Sequence, residues 1–225
     1  MINESYYWRR EVSKLSSKIK NRISYKRPWT DATHGAFEKE VMIGFYMIRK
    51  LIEANKLTNK IVSTKIDGRK YSNIGKNVTI QNNHRFQEFF DLEKSIAAKF
   101  DLTFLINQII HSYIFAPSFA LAKSYLDQLP DDKELSKDEI DEMLKSQELE
   151  LTSILFCSRE RRNEFLFEIE ILTIVDLFEK VGSCVVTTIH RTFNNKRNDY
   201  DVYQTDEEVP IPPDIEELIK LHEKK

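Results

Sequence analysis

Asn107 and His111 stand four residues apart inside a run, 102–122, that carries no formal charge. Four residues make one helical turn, so on a helix both side chains fall on one face. A histidine near its ordinary pKa can give and take a proton at neutral pH, which makes Asn107 and His111 the first candidates for general acid-base work. The same pair on an apolar helix also reads as a buried couple, hydrogen-bonded to each other or to backbone. Glu168 and Glu170 alternate along a predicted strand, with Asp199 and Asp201 on the last strand. Carboxylates two apart share a sheet face and can hold a divalent cation, so Glu168 and Glu170 are the metal candidates. No lysine follows either glutamate at the spacing a nuclease element needs. Cys157, Cys184 and His190 all fall on the predicted sheet, where a cysteine is either a nucleophile or a small buried hydrophobe.

Other chemistries are excluded by spacing. Gly75-Lys76 has Lys70 where a phosphate loop needs its first glycine and Asn77 where it needs Ser or Thr. There is no G-x-G-x-x-G, G-x-S-x-G, H-E-x-x-H or C-x-x-C, and His34, His84, His111, His190 and His222 lack zinc-type spacing. No cofactor is evident. The Asn107/His111 pair resembles the arginine-polar-x-x-x-histidine signature of HEPN ribonucleases, helical bundles whose dimer interface cuts RNA. The resemblance covers one helix, implies RNA cleavage at that pair, and departs from the family twice. No arginine lies on this helix to hold the phosphate, and the β-rich remainder is foreign to such bundles.

Charge is balanced in total and segregated along the chain. Thirty-four basic against thirty-six acidic residues leave a net charge of -2, so the global balance recruits neither nucleic acid nor membrane. Arg9, Arg10, Lys14, Lys18, Lys20 and Arg22 nevertheless load the first predicted helix. Arg159, Arg161 and Arg162 load one predicted turn, and Arg191, Lys196 and Arg197 another. Tyr6, Tyr7, Tyr25, Trp29 and Phe193 lie among them, giving a surface for phosphates and for base stacking. The same surface suits an acidic protein, or the chain's own acidic stretch at 131–150.

At 225 residues and 41% hydrophobic, the chain can bury a core without disulfides or structural metal. Two cysteines and an acidic residue early in an N-terminus without an apolar stretch point to a reducing cytosol. Central amides and a histidine make the uncharged run a core helix rather than a membrane span. Isoleucine-, lysine- and asparagine-rich usage suggests an AT-rich microbial genome.

The elements that must position these residues follow from periodicity. Trp8, Val12, Leu15, Ile19 and Ile23 mark an amphipathic helix over 4–23. Phe37, Val41, Gly44, Phe45, Ile48 and Leu51 mark a second over 33–55, with Gly44 admitting a close neighbour. Asp67-Gly68 reads as the turn of a hairpin near 60–82, with 78–81 a further short strand. Helical spacing over 86–100 and a nearly all-apolar helix over 102–115 come next. Ser136-Lys137-Asp138-Glu139 fits a capping box inside an acidic linker or surface helix. Alternating strands at 152–157, 165–171, 185–189 and 200–203 enclose a helix over 173–181 that Gly182 ends.

These signals give an α+β fold. An N-terminal helical half, with a long antiparallel helix pair and a buried central helix, packs with a C-terminal antiparallel sheet of ββαββ type. The expected division is a helical region at 1–129, an acidic linker at 130–150, a sheet region at 151–204 and an acidic, proline-containing tail at 205–225, all in one compact domain. With no constellation of reactive groups and with opposed charged patches, the first functional expectation is a non-enzymatic cytosolic accessory protein. It would act through a protein partner, as an immunity, regulatory or defence-associated component does. The alternative is a nucleic-acid-binding or RNA-cleaving protein using the basic first helix and the Asn107/His111 pair.

Overall fold

The computed structural model describes residues 2, 4–23, 29–121 and 149–207, so the expected acidic helix and capping box and most of the tail lie outside the described residues. The fold is α+β. The two N-terminal helices form where their apolar stripes predict. α1 spans Ser5–Ile23 and buries Val12, Leu15 and Ile19. α2 spans Asp31–Glu53 and buries Phe37, Val41, Gly44, Phe45, Ile48 and Leu51. Its N-cap is Thr30, whose hydroxyl accepts from the Thr33 N–H at 3.2 Å and so satisfies one orphan donor. Arg22 of α1 holds Glu40 of α2 through two hydrogen bonds of 2.7 and 2.9 Å.

Then comes the short α3, Asn59–Val62, where a hairpin strand is expected. β1 follows as one continuous strand, Lys65–Ser72, with Asp67 and Gly68 in its middle. Gly68 is not a turn residue. It pairs with Ala98 of β2 (Ile96–Asp101), and a Cβ there would lie 2.5 Å from the Glu168 carbonyl and 2.6 Å from the Phe100 ring. Glycine serves close packing at this point. The 78–81 stretch forms no strand, and the helical spacing after Phe86 resolves into a 3₁₀ turn, Asn83–Glu88, followed by β2. Edge strand β2 alternates Ile96, Ala98 and Phe100, a period-two pattern that the preceding phenylalanines obscure.

α4, Leu102–Ile110, stops at His111, and β3, Ser112–Leu121, takes over the residues expected to continue the helix. Aromatic and β-branched residues at 113–115 suit a strand, and Pro117 is tolerated because β3 lies at the sheet edge. β4 (Leu149–Ser158), β5 (Phe165–Glu170), α5 (Ile171–Ser183), β6 (Thr188–Asn194) and β7 (Asp199–Thr205) follow in the expected ββαββ order. Gly182 does not end α5; it sits within it, where a Cβ would come 2.7 Å from Ser13 Cβ, so it lets α1 and α5 approach.

The main sheet has the order β2-β1-β5-β4-β3 with every pair antiparallel, while β6 and β7 form a separate hairpin. α1 packs on α5 and α2, α2 on α4, and both α4 and α5 on β4. Leu102, Leu105, Ile106 and Ile109 of α4 belong with Phe37, Phe45 and Phe156 to one continuous core. No helix among the described residues is long and apolar enough to cross a membrane.

Candidate functional site

Asn107 and His111 are exposed at the C-terminal end of α4; they are not a buried couple. His111 caps the helix, its backbone N–H donating to the Asn107 carbonyl at 3.1 Å. Between them in sequence, Gln108 points inward and is only 7% exposed. Its Oε1 accepts from the Ser158 N–H at 3.1 Å, which ties the end of α4 to the last residue of β4. Beyond Ser158 the chain turns through 159–164, closed by Arg161 N–H to Ser158 O at 3.1 Å and Glu164 N–H to Arg161 O at 2.8 Å.

This tie brings the turn's arginines to the α4 pair. Arg49 of α2, Arg159 and Arg162 line a cleft of about 700 Å³ with Asn107, His111, Gln108, Ser158 and Glu160. Arg162 is held firmly: Nε donates to the Val78 carbonyl at 3.0 Å, Nη1 to the Arg159 carbonyl, and its guanidinium lies 5.7 Å from the Tyr113 ring centre. Arg159 is exposed and its side chain has no protein partner among the described residues. Glu160 is the one carboxylate in the lining, against three guanidinium groups. Arginines from α2 and from the β4–β5 turn thus line the same cleft as the α4 pair.

A second, more apolar groove of about 910 Å³ lies between the start of α1, the end of α2 and the β6–β7 hairpin. Ile2, Trp8, Ile189, Tyr200 and Val202 form its walls, with Lys50, Lys56, Arg191 and Glu53 around them. Arg49 of the cleft and Lys50 of the groove are neighbours near the end of α2. Glu53 accepts from Arg49 Nε at 2.8 Å with one oxygen and from Lys50 Nζ at 2.7 Å with the other. Those bonds, Lys50 first and then Arg49, hold the Glu53 carboxyl below the usual carboxylate range.

The remaining candidates sit elsewhere. Arg10, Lys14 and Lys18 are exposed along α1, Lys14 bonded to Glu11, and Arg9 is partly buried with no partner for its Nε. None of these four lines the cleft. Arg161 pairs with Glu164 at 2.5 Å and faces a separate hollow near Phe165 and Lys70. Arg191 lines the apolar groove, and Arg197 pairs with Asp201 at the hairpin's end.

Glu168 is already occupied. Its two oxygens accept from Tyr71 Oη and Ser153 Oγ, each at 2.6 Å, and Arg69 lies 3.8 Å away on the paired strand. Glu170 is exposed beside it, and among the described residues no group of three or more His, Cys, Asp or Glu is placed to hold a metal ion. Cys157 is fully buried, and burial pushes its thiol up to about 12, away from a nucleophile's range. Cys184 is buried as well, while His190 is exposed on the hairpin.

Arg49, Gln108 and Ser158 were not legible as site residues. Gln108 alone carried a signal, as an amide between Leu105 and Ile109 that must find a partner once buried. No family model, curated protein or solved structure matches the chain.

Proposed function

We propose that this protein binds the phosphate backbone of single-stranded nucleic acid in the cleft between α2, the end of α4 and the β4–β5 turn. One observation carries the reading: Arg49, Arg159 and Arg162 converge on the exposed Asn107/His111 pair. Planar guanidinium groups match phosphate oxygens in pairs and stay charged at every physiological pH. The second groove supports a polymer ligand, because Trp8 and Tyr200 line it beside Lys50, Lys56 and Arg191. Phe193, exposed and 5.2 Å from Tyr200 between ring centres, extends that aromatic surface along the hairpin. The reading places the protein in the cytosol, where such ligands and reduced cysteines coexist.

A labelled ten-nucleotide oligouridine, followed by fluorescence anisotropy against salt, tests it. The wild type should bind with an affinity that falls steeply with salt. Changing Arg49 and Arg159 to Gln should weaken binding about tenfold and flatten the salt slope by roughly 1.4, for two phosphate contacts on a single strand. Changing Arg10, Lys14 and Lys18 to Gln should leave both unchanged. An accessory protein that meets an acidic partner through α1 gives the opposite pattern: no oligonucleotide binding, and partner capture lost in the α1 variant.

A further inference from the structure

We infer that the phosphate received by the cleft is a terminal one, the phosphomonoester end of a strand, with the Ser158 hydroxyl as one of its ligands. The inference rests on the nucleic-acid reading and sharpens it. Ser158 is 5% exposed and lines the cleft, yet its Oγ has no hydrogen-bond partner. Its backbone N–H is taken by Gln108 and its carbonyl by the Arg161 N–H, so the hydroxyl is the one polar group of this residue left unmatched. Buried hydroxyls in folded proteins are nearly always paired, and an orphan calls for an explanation such as an absent ligand.

Charge and oxygen count then choose the ligand. An internal diester carries one negative charge and two free oxygens. A terminal monoester carries up to two charges, with a second pKa near 6, and three acceptor oxygens. The cleft offers the guanidinium groups of Arg49, Arg159 and Arg162 and the Ser158 hydroxyl, opposed by Glu160 in the lining and by Glu53, which holds Arg49 Nε. Three guanidinium charges and a hydroxyl match the two charges and three oxygens of a monoester better than the single charge and two oxygens of a diester. Arg162 is already fixed through Nε and Nη1 to two carbonyls, so its remaining nitrogen is presented without the loss of side-chain freedom that a loose arginine incurs.

The test uses the full chain and three labelled oligouridine decamers that differ only in carrying a 5′-phosphate, a 3′-phosphate or hydroxyls at both ends. One phosphorylated end should bind at least tenfold tighter than the hydroxyl-ended strand, and inorganic phosphate should compete that gain away. Ser158→Ala should cut the gain several-fold. Its melting temperature should not fall, since the lost hydroxyl has no partner. Arg159→Gln, an exposed change, should reduce the same gain in a chain whose fold it does not touch. Equal affinity for all three strands, still dependent on Arg49 and Arg159, overturns the terminal-phosphate inference and leaves the nucleic-acid reading standing. A gain undiminished in both Ser158→Ala and Arg159→Gln overturns it too. A phosphoserine peptide binding as tightly as the phosphorylated strand overturns the strand end as the ligand, and failure of all three strands removes both readings.

Discussion

The edge of the Phe178 ring occupies the space where a side chain on Gly44 would begin. The ring's Cε2 and Cζ atoms are the nearest neighbours of that missing Cβ, and Phe178 itself is fully buried, 5.3 Å from the Phe45 ring centre. Glycine in the middle of a helix costs about 1 kcal/mol against alanine, so α2 accepts a local penalty to let α5 close on it.

Gly44→Ala should therefore destabilise the protein although it improves helix propensity. The ring cannot leave without disturbing a filled core, and overpacking of this kind costs about 1–3 kcal/mol. Urea unfolding measures it. Combining Gly44→Ala with Phe178→Leu should cost less than the two single changes added together, because each relieves the other. A simple sum would show that the ring does not meet this position.

Alkaline pH should expose the buried network on the sheet. Tyr71 is pushed up from 10.0 to about 12, by burial first and then by its hydrogen bond to the Glu168 carboxylate. Cys157 is pushed up from 9.0 to about 12 by burial. Both raised values favour the neutral form in the folded state. Their contribution to stability is complete below the ordinary pKa and is lost as pH climbs toward 12. The melting temperature should fall across pH 9–12, and Tyr71→Phe should remove part of that fall while costing stability at pH 7. A Tyr71→Phe profile parallel to the wild type would place the tyrosine outside the network.

Glu168 accepts hydrogen bonds from both Tyr71 and Ser153. Glu168→Ala leaves the hydroxyls of Tyr71 and Ser153 without their acceptor, which should cost about 1–3 kcal/mol for each group that stays buried and unpaired. Added magnesium or manganese should not raise the wild-type melting temperature. A cation-dependent rise that Glu168→Ala abolishes would restore the metal reading.

How far the architecture could be read from residues alone depended on how long each pattern ran. α1 and α2 carry uninterrupted stripes over several turns, and their bounds fall within two residues of the expected ones. β1 and β2 were misread because Asp67-Gly68 has turn composition and because the phenylalanines at 86, 89 and 90 mimic a helical period. A glycine that accommodates the Glu168 carbonyl looks in sequence like one that bends a chain. At the site, Asn107, His111, Arg159 and Arg162 each stood out singly. Their meeting depends on a bond between residues fifty positions apart, Gln108 and Ser158, which no local spacing encodes. Arg49 is one cation among several on α2, and only the packing of α2 against α4 gives it a role.

Neighbours on α4 should respond to mutation in opposite ways. Ile109 is fully buried, so Ile109→Ala should cost about 2–5 kcal/mol through lost burial and the cavity left behind. His111 is exposed, its side chain has no partner among the described residues, and only its backbone N–H closes the helix. His111→Ala keeps that backbone bond and should change stability by less than about 0.5 kcal/mol, as exposed substitutions do. If His111 faces a bound strand, the same variant should nonetheless weaken oligonucleotide binding, because it removes an imidazole from the cleft lining. Thermal melts and anisotropy on the two variants separate the roles. A large stability loss in His111→Ala would return the residue to the core, and an unchanged affinity would remove it from the binding cleft.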